Sequence, residues 1–329
     1  MVTAVSGLPP SSRDNRTAIL TDAPHPDDHT RPPRSPSFMS RQAVVLATRR
    51  ATPYNGTMLK KVLLNNYEDP DGPIFQGNYA SPRDPNTAVD TAVLVSYNIE
   101  FGMRIPQATS EFKIIDPLPQ SDVILLQEVD EHGTNRMARV LGYNFVYFPA
   151  SVHRHGRNFG NAILSRWPIL NPTKFILPRR APGTRQLRLA TRAEIALGST
   201  RLLAYSVHTE VYHLTSRKHR RQQVEAIVED IQPGRQPVIV GGDFNTVRRA
   251  HIKRLEQQFG SIGMARVTRG IGPTIRKYRV QPSAADHIFA RGIEVEARGK
   301  IPQVLSSDHF PVWVRLRPNN HHTVGESPE

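Results

Sequence analysis

The 329-residue chain has no cysteine. That absence excludes disulfides, thiolate metal centres and cysteine nucleophiles together. No apolar run comes near the roughly 18 residues that a membrane-spanning helix needs. The first 36 residues carry prolines and charges but lack the apolar segment of a secretory signal. The expectation is a soluble, cytoplasmic, monomeric protein. Acidic residues are scarce relative to basic ones, and the imbalance is local. Residues 1–90 hold 10 Lys+Arg against 9 Asp+Glu, whereas the remaining 239 hold 33 against 20, a net of +13. The excess charge therefore belongs to the part of the chain expected to fold, where it would attract a polyanion or an anionic membrane surface.

The composition divides the chain. Residues 1–40, rich in Pro, Ser, Asp and Arg, offer little to bury and are expected to be disordered. Residues 41–90 read as a partly ordered leader, with a weakly helical stretch at Met58–Leu64 and a Pro/Gly/Asn/Asp loop from Glu68 to Pro85. From Thr91 short apolar runs recur: Ala92–Val95, Val123–Leu126, Phe145–Phe148, Ala162–Leu164, Leu202–Tyr205, Val238–Val240, His287–Ala290 and Val312–Val314. Several have the continuous apolar character of strands buried on both faces. Helical candidates lie between some of them, at Asn135–Leu141, Ser216–Ile231 and Arg248–Phe259. These elements predict one α/β domain over residues 91–317, followed by a flexible tail at 318–329.

Polar residues gather where the apolar runs end. Asn98 follows the first in SYNIE, Gln127 and Glu128 the second in LLQEVD, and His208 another in SVHTE. GGDFNT (241–246) follows Val238–Val240, Asp286 opens the run in DHIF, and Asp308-His309 precede the last run in SSDHFPV. Asp243 and Asn245, two apart, point the same way in extended geometry, with Phe244 turned inward. One such residue is more often a turn or a helix cap than a ligand. Six in succession predict a site on one rim of the sheet. The set is rich in oxygen donors and suits a hard cation, Mg²⁺ or Mn²⁺.

The series SYNIE, LLQEVD, GNAILSRWPI, SVHTE, GGDFNT, DHIF and SSDHFPV resembles the endonuclease/exonuclease/phosphatase superfamily, the fold of pancreatic deoxyribonuclease. The resemblance implies a four-layer α/β sandwich, two packed mixed sheets flanked by helices, and metal-dependent hydrolysis of phosphoesters. It implies Glu128 as metal ligand with Asn98 and Asp308 beside it, and His309 as the essential histidine oriented by Asp286. Asp243 and Asn245 then position water and phosphate, His208 lies near the leaving group, and Asn161 touches the substrate phosphate.

Several basic segments fall outside those motifs. Arg157 in VHRHGRNFG is a candidate phosphate contact. In TIRKYRV, Arg276, Lys277 and Arg279 flank a tyrosine, a mixture of charge and ring that suits nucleic acid. The arginine-rich Pro178–Arg188 stretch has the same potential. RKHRRQ (217–222) opens a helix with charges that oppose its dipole and hints at an anion, although Arg220 and Gln223 also fit a scaffold role. A DNA or RNA phosphodiester is the expected substrate. A phospholipid or sugar phosphate is the alternative, and a non-catalytic binding protein is disfavoured by the intact acidic and histidine set.

Overall fold

Leu94 joins one apolar core, while its neighbours Val93 and Val95 join another. The same split separates Ile239 from Val238 and Val240. Side chains alternate across a strand, so these strands are covered on both faces. A computed structural model describes residues 66–318, apart from 85–86, 154–155, 183, 212–215, 235, 247 and 277–283. The expectations for residues 1–65, including the helical stretch at 58–64, and for 319–329 lie outside the described residues.

In chain order the strands are β1 (Phe75–Gly77), β2 (Ala92–Asn98), β3 (Ser121–Val129), β4 (Asn144–Val152) and β5 (Asn158–Ser165). There follow β6 (Ile169–Ile176), β7 (Leu189–Leu197), β8 (Thr200–His208) and β9 (Val238–Asp243). The last are β10 (Ala265–Arg266), β11 (Asp286–Arg291), β12 (Glu294–Lys300) and β13 (Val312–Arg317). The helices are α1 (Ile105–Ile114), α2 (Glu131–Leu141), α3 (Arg217–Asp230) and α4 (Arg249–Gly260). One sheet has the order β1-β4-β5-β3-β2-β13-β12 and the other β10-β11-β9-β8-β7-β6. Each is mixed: β2–β3 and β8–β9 run parallel, and their other neighbours antiparallel.

The sheets face each other across Leu94, Leu125, Ile163, Ile195, Ile239 and Ile288. On the outer face of the first, Ile105, Phe112, Met137 and Ala138 of α1 and α2 cover Val95, Ile124 and Leu126. On the second, Val224, Ile227, Leu255 and Phe259 of α3 and α4 cover Tyr205, Val240 and Phe289. The result is the expected four-layer α/β sandwich. Local chemistry sets the helix starts. Asp130 accepts from Gly133 N (2.6 Å) to cap α2, and Ser216 accepts from His219 N (3.3 Å) to cap α3. Part of the leader joins the first sheet as an edge: β1 pairs with β4, and Tyr67 N donates to Ala150 O (3.0 Å).

Candidate active site

Two parallel strand pairs deliver their ends side by side. In register, Asn98 of β2 meets Gln127 of β3, and His208 of β8 meets Asp243 of β9. Antiparallel β11 begins where β9 ends, so Asp286 stands opposite Asp243. Close approach of β8 explains Gly242 of GGDFNT, and close approach of the facing sheet explains Gly241. A Cβ on Gly242 would lie 1.9 Å from Val207 O, and one on Gly241 would lie 2.7 Å from Leu125 Cδ1.

Glu128 reaches the rim through a bulge. The β3–β5 register shifts between Gln127 and Val129, and Glu128 takes a left-handed φ of 59°. Its carboxylate accepts from Phe101 N (3.1 Å) and from Asn98 Nδ2 (3.2 Å). Asn98 Nδ2 also donates to Asp243 Oδ2 (3.1 Å), so one amide links both acids. Asn245, at φ 50°, donates its backbone N–H to Asp243 Oδ1 (2.8 Å) and its side chain to Thr209 O (3.0 Å). Burial raises the pKa of Glu128, with His309 and Arg188 opposing. Burial likewise raises Asp243, and the charges of Asp286 and Glu128 add to the rise while His309 opposes it.

His309 donates from Nδ1 to Asp286, 2.9 Å from Oδ2, and its Nε2 lies 3.8 Å from Asp243 Oδ2. Asp286 is itself held by Thr274, whose hydroxyl donates to Oδ2 at 2.6 Å. Asp308 is half-buried, and its charge helps to raise the His309 pKa. His208 faces Glu128 Oε1 and Asp243 Oδ2, each 3.7 Å from Nε2. Arg188 Nη1 lies 3.3 Å from His208 Nδ1. A guanidinium can only donate, so Nδ1 accepts and the proton of the neutral ring sits on Nε2. Burial and then the Arg188 charge hold this imidazole well below its usual pKa, which keeps it neutral.

The cluster therefore joins Asn98, Glu128, His208, Asp243, Asn245, Asp286 and His309 of the predicted set. Other predicted residues are engaged elsewhere. Both amide hydrogens of Asn161 go to backbone carbonyls, Leu189 O (2.8 Å) and Ser206 O (3.1 Å), so its donor ties β5 to the facing sheet instead of meeting a phosphate. Arg157 donates to Phe101 O (2.6 Å) and pairs with Asp130 (3.3 Å), bracing the loop beside Glu128. Arg276 donates to Pro302 O (3.2 Å) and Val304 O and lies over the Phe310 ring. It anchors the turn at Pro302–Val304. Lys277 and Arg279 lie outside the described residues. In Asn98 the amide nitrogen faces the carboxylates, while Oδ1 accepts from Glu100 N (3.1 Å).

Sequence reasoning missed the buried pair behind His208. Arg188 Nη2 lies 3.2 Å from Glu210 Oε1, and both side chains are almost wholly enclosed. Glu210 stands two residues beyond His208, a spacing that is visible in the sequence. Arg188 shows there only as the end of an arginine-rich stretch. Gln127 was also left without a role. Its amide donates to Ser206 Oγ (2.9 Å) and Leu125 O (3.0 Å) between the sheets.

The donor set accommodates a hard divalent cation. Half-buried Glu128 and buried Asp243 are two carboxylates joined through one amide, and burial disfavours the charge on each, which a cation beside them would relieve. Asp243, Asp286 and His309 also bring ligand atoms within 4.8 Å of one another. In that trio, however, His309 Nδ1 is already committed to Asp286, which is the arrangement of an oriented imidazole.

The family model described as Endonuclease/Exonuclease/phosphatase family matches residues 95–309, from within β2 to His309. The chain belongs to this family. Endonuclease/exonuclease/phosphatase proteins are hydrolases of phosphoester bonds, and the site described above falls inside the matched span. A UPF0294 protein of Vibrio cholerae is 30% identical over 141 residues, 43% of this chain and 46% of that protein. The chain thus spans about half the length of the curated relatives it matches. The family fold recurs in an endonuclease/exonuclease/phosphatase from Beutenbergia cavernae, with TM-score 0.58 and 18% identity over 70% of this chain and 72% of that one. It recurs also in a mannosyl-6-phosphatase from Bacteroides thetaiotaomicron, with TM-score 0.53 and 19% identity over 68% and 99% of the two chains. No helix among the described residues is long and apolar enough to cross a membrane.

Proposed function

We propose that this protein is a divalent-metal-dependent phosphodiesterase that cuts nucleic-acid strands. The observation that carries the chemistry is the buried line in which Asp286 hydrogen-bonds His309 and the other ring nitrogen of His309 faces Asp243 at 3.8 Å, beside Glu128 and Asn98. Glu128 would hold Mg²⁺ or Mn²⁺, and Asn98 links it to Asp243 through one amide. Such an ion would supply neutralisation of the charge that builds on the phosphate. Asp243 has the raised pKa of a proton acceptor and takes the proton of the attacking water, with Asn245 setting its orientation. His309, protonated and fixed by Asp286, donates from Nε2 to the phosphate. His208 presents its Nε2 hydrogen towards the leaving group.

The substrate class rests on charge. A net of +13 on residues 91–329 favours a polymer of phosphates over a single headgroup. A panel of DNA, abasic DNA, RNA, sphingomyelin, inositol phosphates and a hexose 6-phosphate, assayed with Mg²⁺ or Mn²⁺, tests it. Cleavage of a polynucleotide is expected. Turnover confined to the lipid or sugar phosphates would overturn this reading.

A further inference from the structure

Of the basic residues on the 274–280 loop, Arg276 is engaged with backbone carbonyls, and Lys277 and Arg279 lie outside the described residues. A different surface concentrates basic side chains. Helix α3 opens Arg217-Lys218-His219-Arg220-Arg221, and α4 follows Arg248 with Arg249, His251 and Arg254. Neither helix has an acidic residue in its first turn. Cations there oppose the positive end of the helix dipole, an arrangement that costs stability until an anion arrives. Among the described residues, Arg217, Arg221 and Arg254 have no carboxylate partner. Burial and then the charges of Arg220, Arg217, Arg248 and Arg254 lower the His251 pKa, as expected in a pocket of concentrated positive potential.

Arg217, Lys218, Arg220, Arg221, His251 and Arg254 line a cavity of about 280 Å³ between the two helices. Arg217, Arg221 and Arg254 are exposed around it, whereas Val224, Phe244 and Leu255 are buried and give it an apolar floor. Its volume is at the lower edge of the roughly 300–1,000 Å³ typical of small-molecule sites, which leaves room for one nucleotide-sized unit. Phe244 and Thr246 line this cavity, while Asp243 and Asn245 of the same segment serve the candidate active site. The two sites lie on opposite sides of one short stretch of backbone.

We propose that the cavity between α3 and α4 is a flanking subsite that grips one nucleotide of the substrate strand beyond the scissile bond, its phosphate on Arg217, Arg221 and Arg254 and its base over the apolar floor. This inference rests on the nuclease reading above. It adds a site that holds the strand without touching the reacting atoms. Each phosphate neutralised on a single strand contributes about −0.7 to the slope of log K against log salt.

The test replaces Arg217, Arg221 and Arg254 together by Ser in the full chain. A matched control replaces three exposed cations elsewhere, Lys113, Arg139 and Arg201. Binding of a fluorescent single-stranded oligonucleotide is measured across salt concentrations in the presence of chelator, so that nothing is cut. With metal restored, turnover is measured on the oligonucleotide and on bis(p-nitrophenyl) phosphate. The expected result is a salt slope shallower by about 0.7, the share of one phosphate, and a KM for the oligonucleotide raised at least about tenfold, with unchanged turnover of the small diester. The inference is overturned if slope and KM change no more than in the control triple. Wild-type protein that cleaves the small diester yet neither binds nor cuts any oligonucleotide sinks the nuclease reading itself. That outcome is separate, because it is read on the unaltered chain.

Discussion

Asp286 and Asp243 stand directly opposite each other in the antiparallel register of β11 and β9. Like charges in that position repel and weaken a sheet. His309 relieves the repulsion, with Nδ1 2.9 Å from Asp286 Oδ2 and Nε2 3.8 Å from Asp243 Oδ2. Burial opposes its charge, but the Asp286 and Asp243 carboxylates outweigh burial and lift the imidazole pKa to about 10. One residue thus serves the chemistry and neutralises the acids around it.

His309→Ala should lower kcat by about 10²–10⁴, the range for loss of one acid–base group. It should also change how stability depends on pH. In the wild type, the raised His309 pKa gives a contribution that is full below about 6.5 and lost as pH rises through about 10. In the variant the two carboxylates repel unrelieved, so stability falls as pH rises from acid to neutral and both become charged. Urea denaturation at several pH values checks this. A variant as stable as wild type from roughly pH 5 to 8 would contradict the counter-ion role.

The rate profile should be bell-shaped. Turnover needs Asp243 ionised, so kcat/KM rises with pH as that raised carboxyl loses its proton. It needs His309 charged, so kcat/KM declines on the alkaline side. Asp286→Asn removes the negative charge that stabilises the imidazolium, and the alkaline limb should move to lower pH. An unmoved limb would assign it to another group.

Glu128→Gln should abolish turnover, and excess chelator should do the same to the wild type, with Mg²⁺ or Mn²⁺ restoring it. A binding readout is independent of activity. A cation that binds only the folded state raises its melting temperature, and this rise should vanish in Glu128→Gln. Full activity in chelator would remove the metal from the mechanism.

The Arg188–Glu210 pair should show strong coupling. Both groups are buried, so Arg188→Met alone leaves a bare carboxylate and should cost about 3–5 kcal/mol in urea denaturation. Adding Glu210→Leu should recover most of that loss. Equal and additive losses would show that the two side chains act separately.

The fold was legible wherever apolar residues run together, as in β2, β3, β8 and β9, and where caps such as Ser216 mark a helix start. The signal faded at edges. Strand β12, Glu294–Lys300, alternates charge with small residues at a sheet margin, where solvated side chains are suited to block further pairing. Strand β6 is an edge interrupted by Asn171-Pro172, and its register shifts between Leu170 and Thr173. Helix α1 places Ile105, Ala108 and Phe112 at helical spacing with no continuous apolar run to announce it. The acidic and histidine residues of the site were legible because they sit at strand ends. The engagements of Arg157, Asn161 and Arg276 with backbone carbonyls depend on tertiary proximity, which no residue spacing encodes.

The left-handed backbone at Glu128 has company. Glu100, Phe101 and Asn245, all beside the same cluster, also take positive φ. Each such residue costs on the order of 1–3 kcal/mol that the surrounding structure must overcome. The rim is therefore the place where local preference and global fold disagree. A redesign that optimised heat resistance alone would write glycine at 128 and delete the carboxylate. Engineering for durability belongs instead on the outer helices, where tightening the scaffold leaves the strained rim as it is.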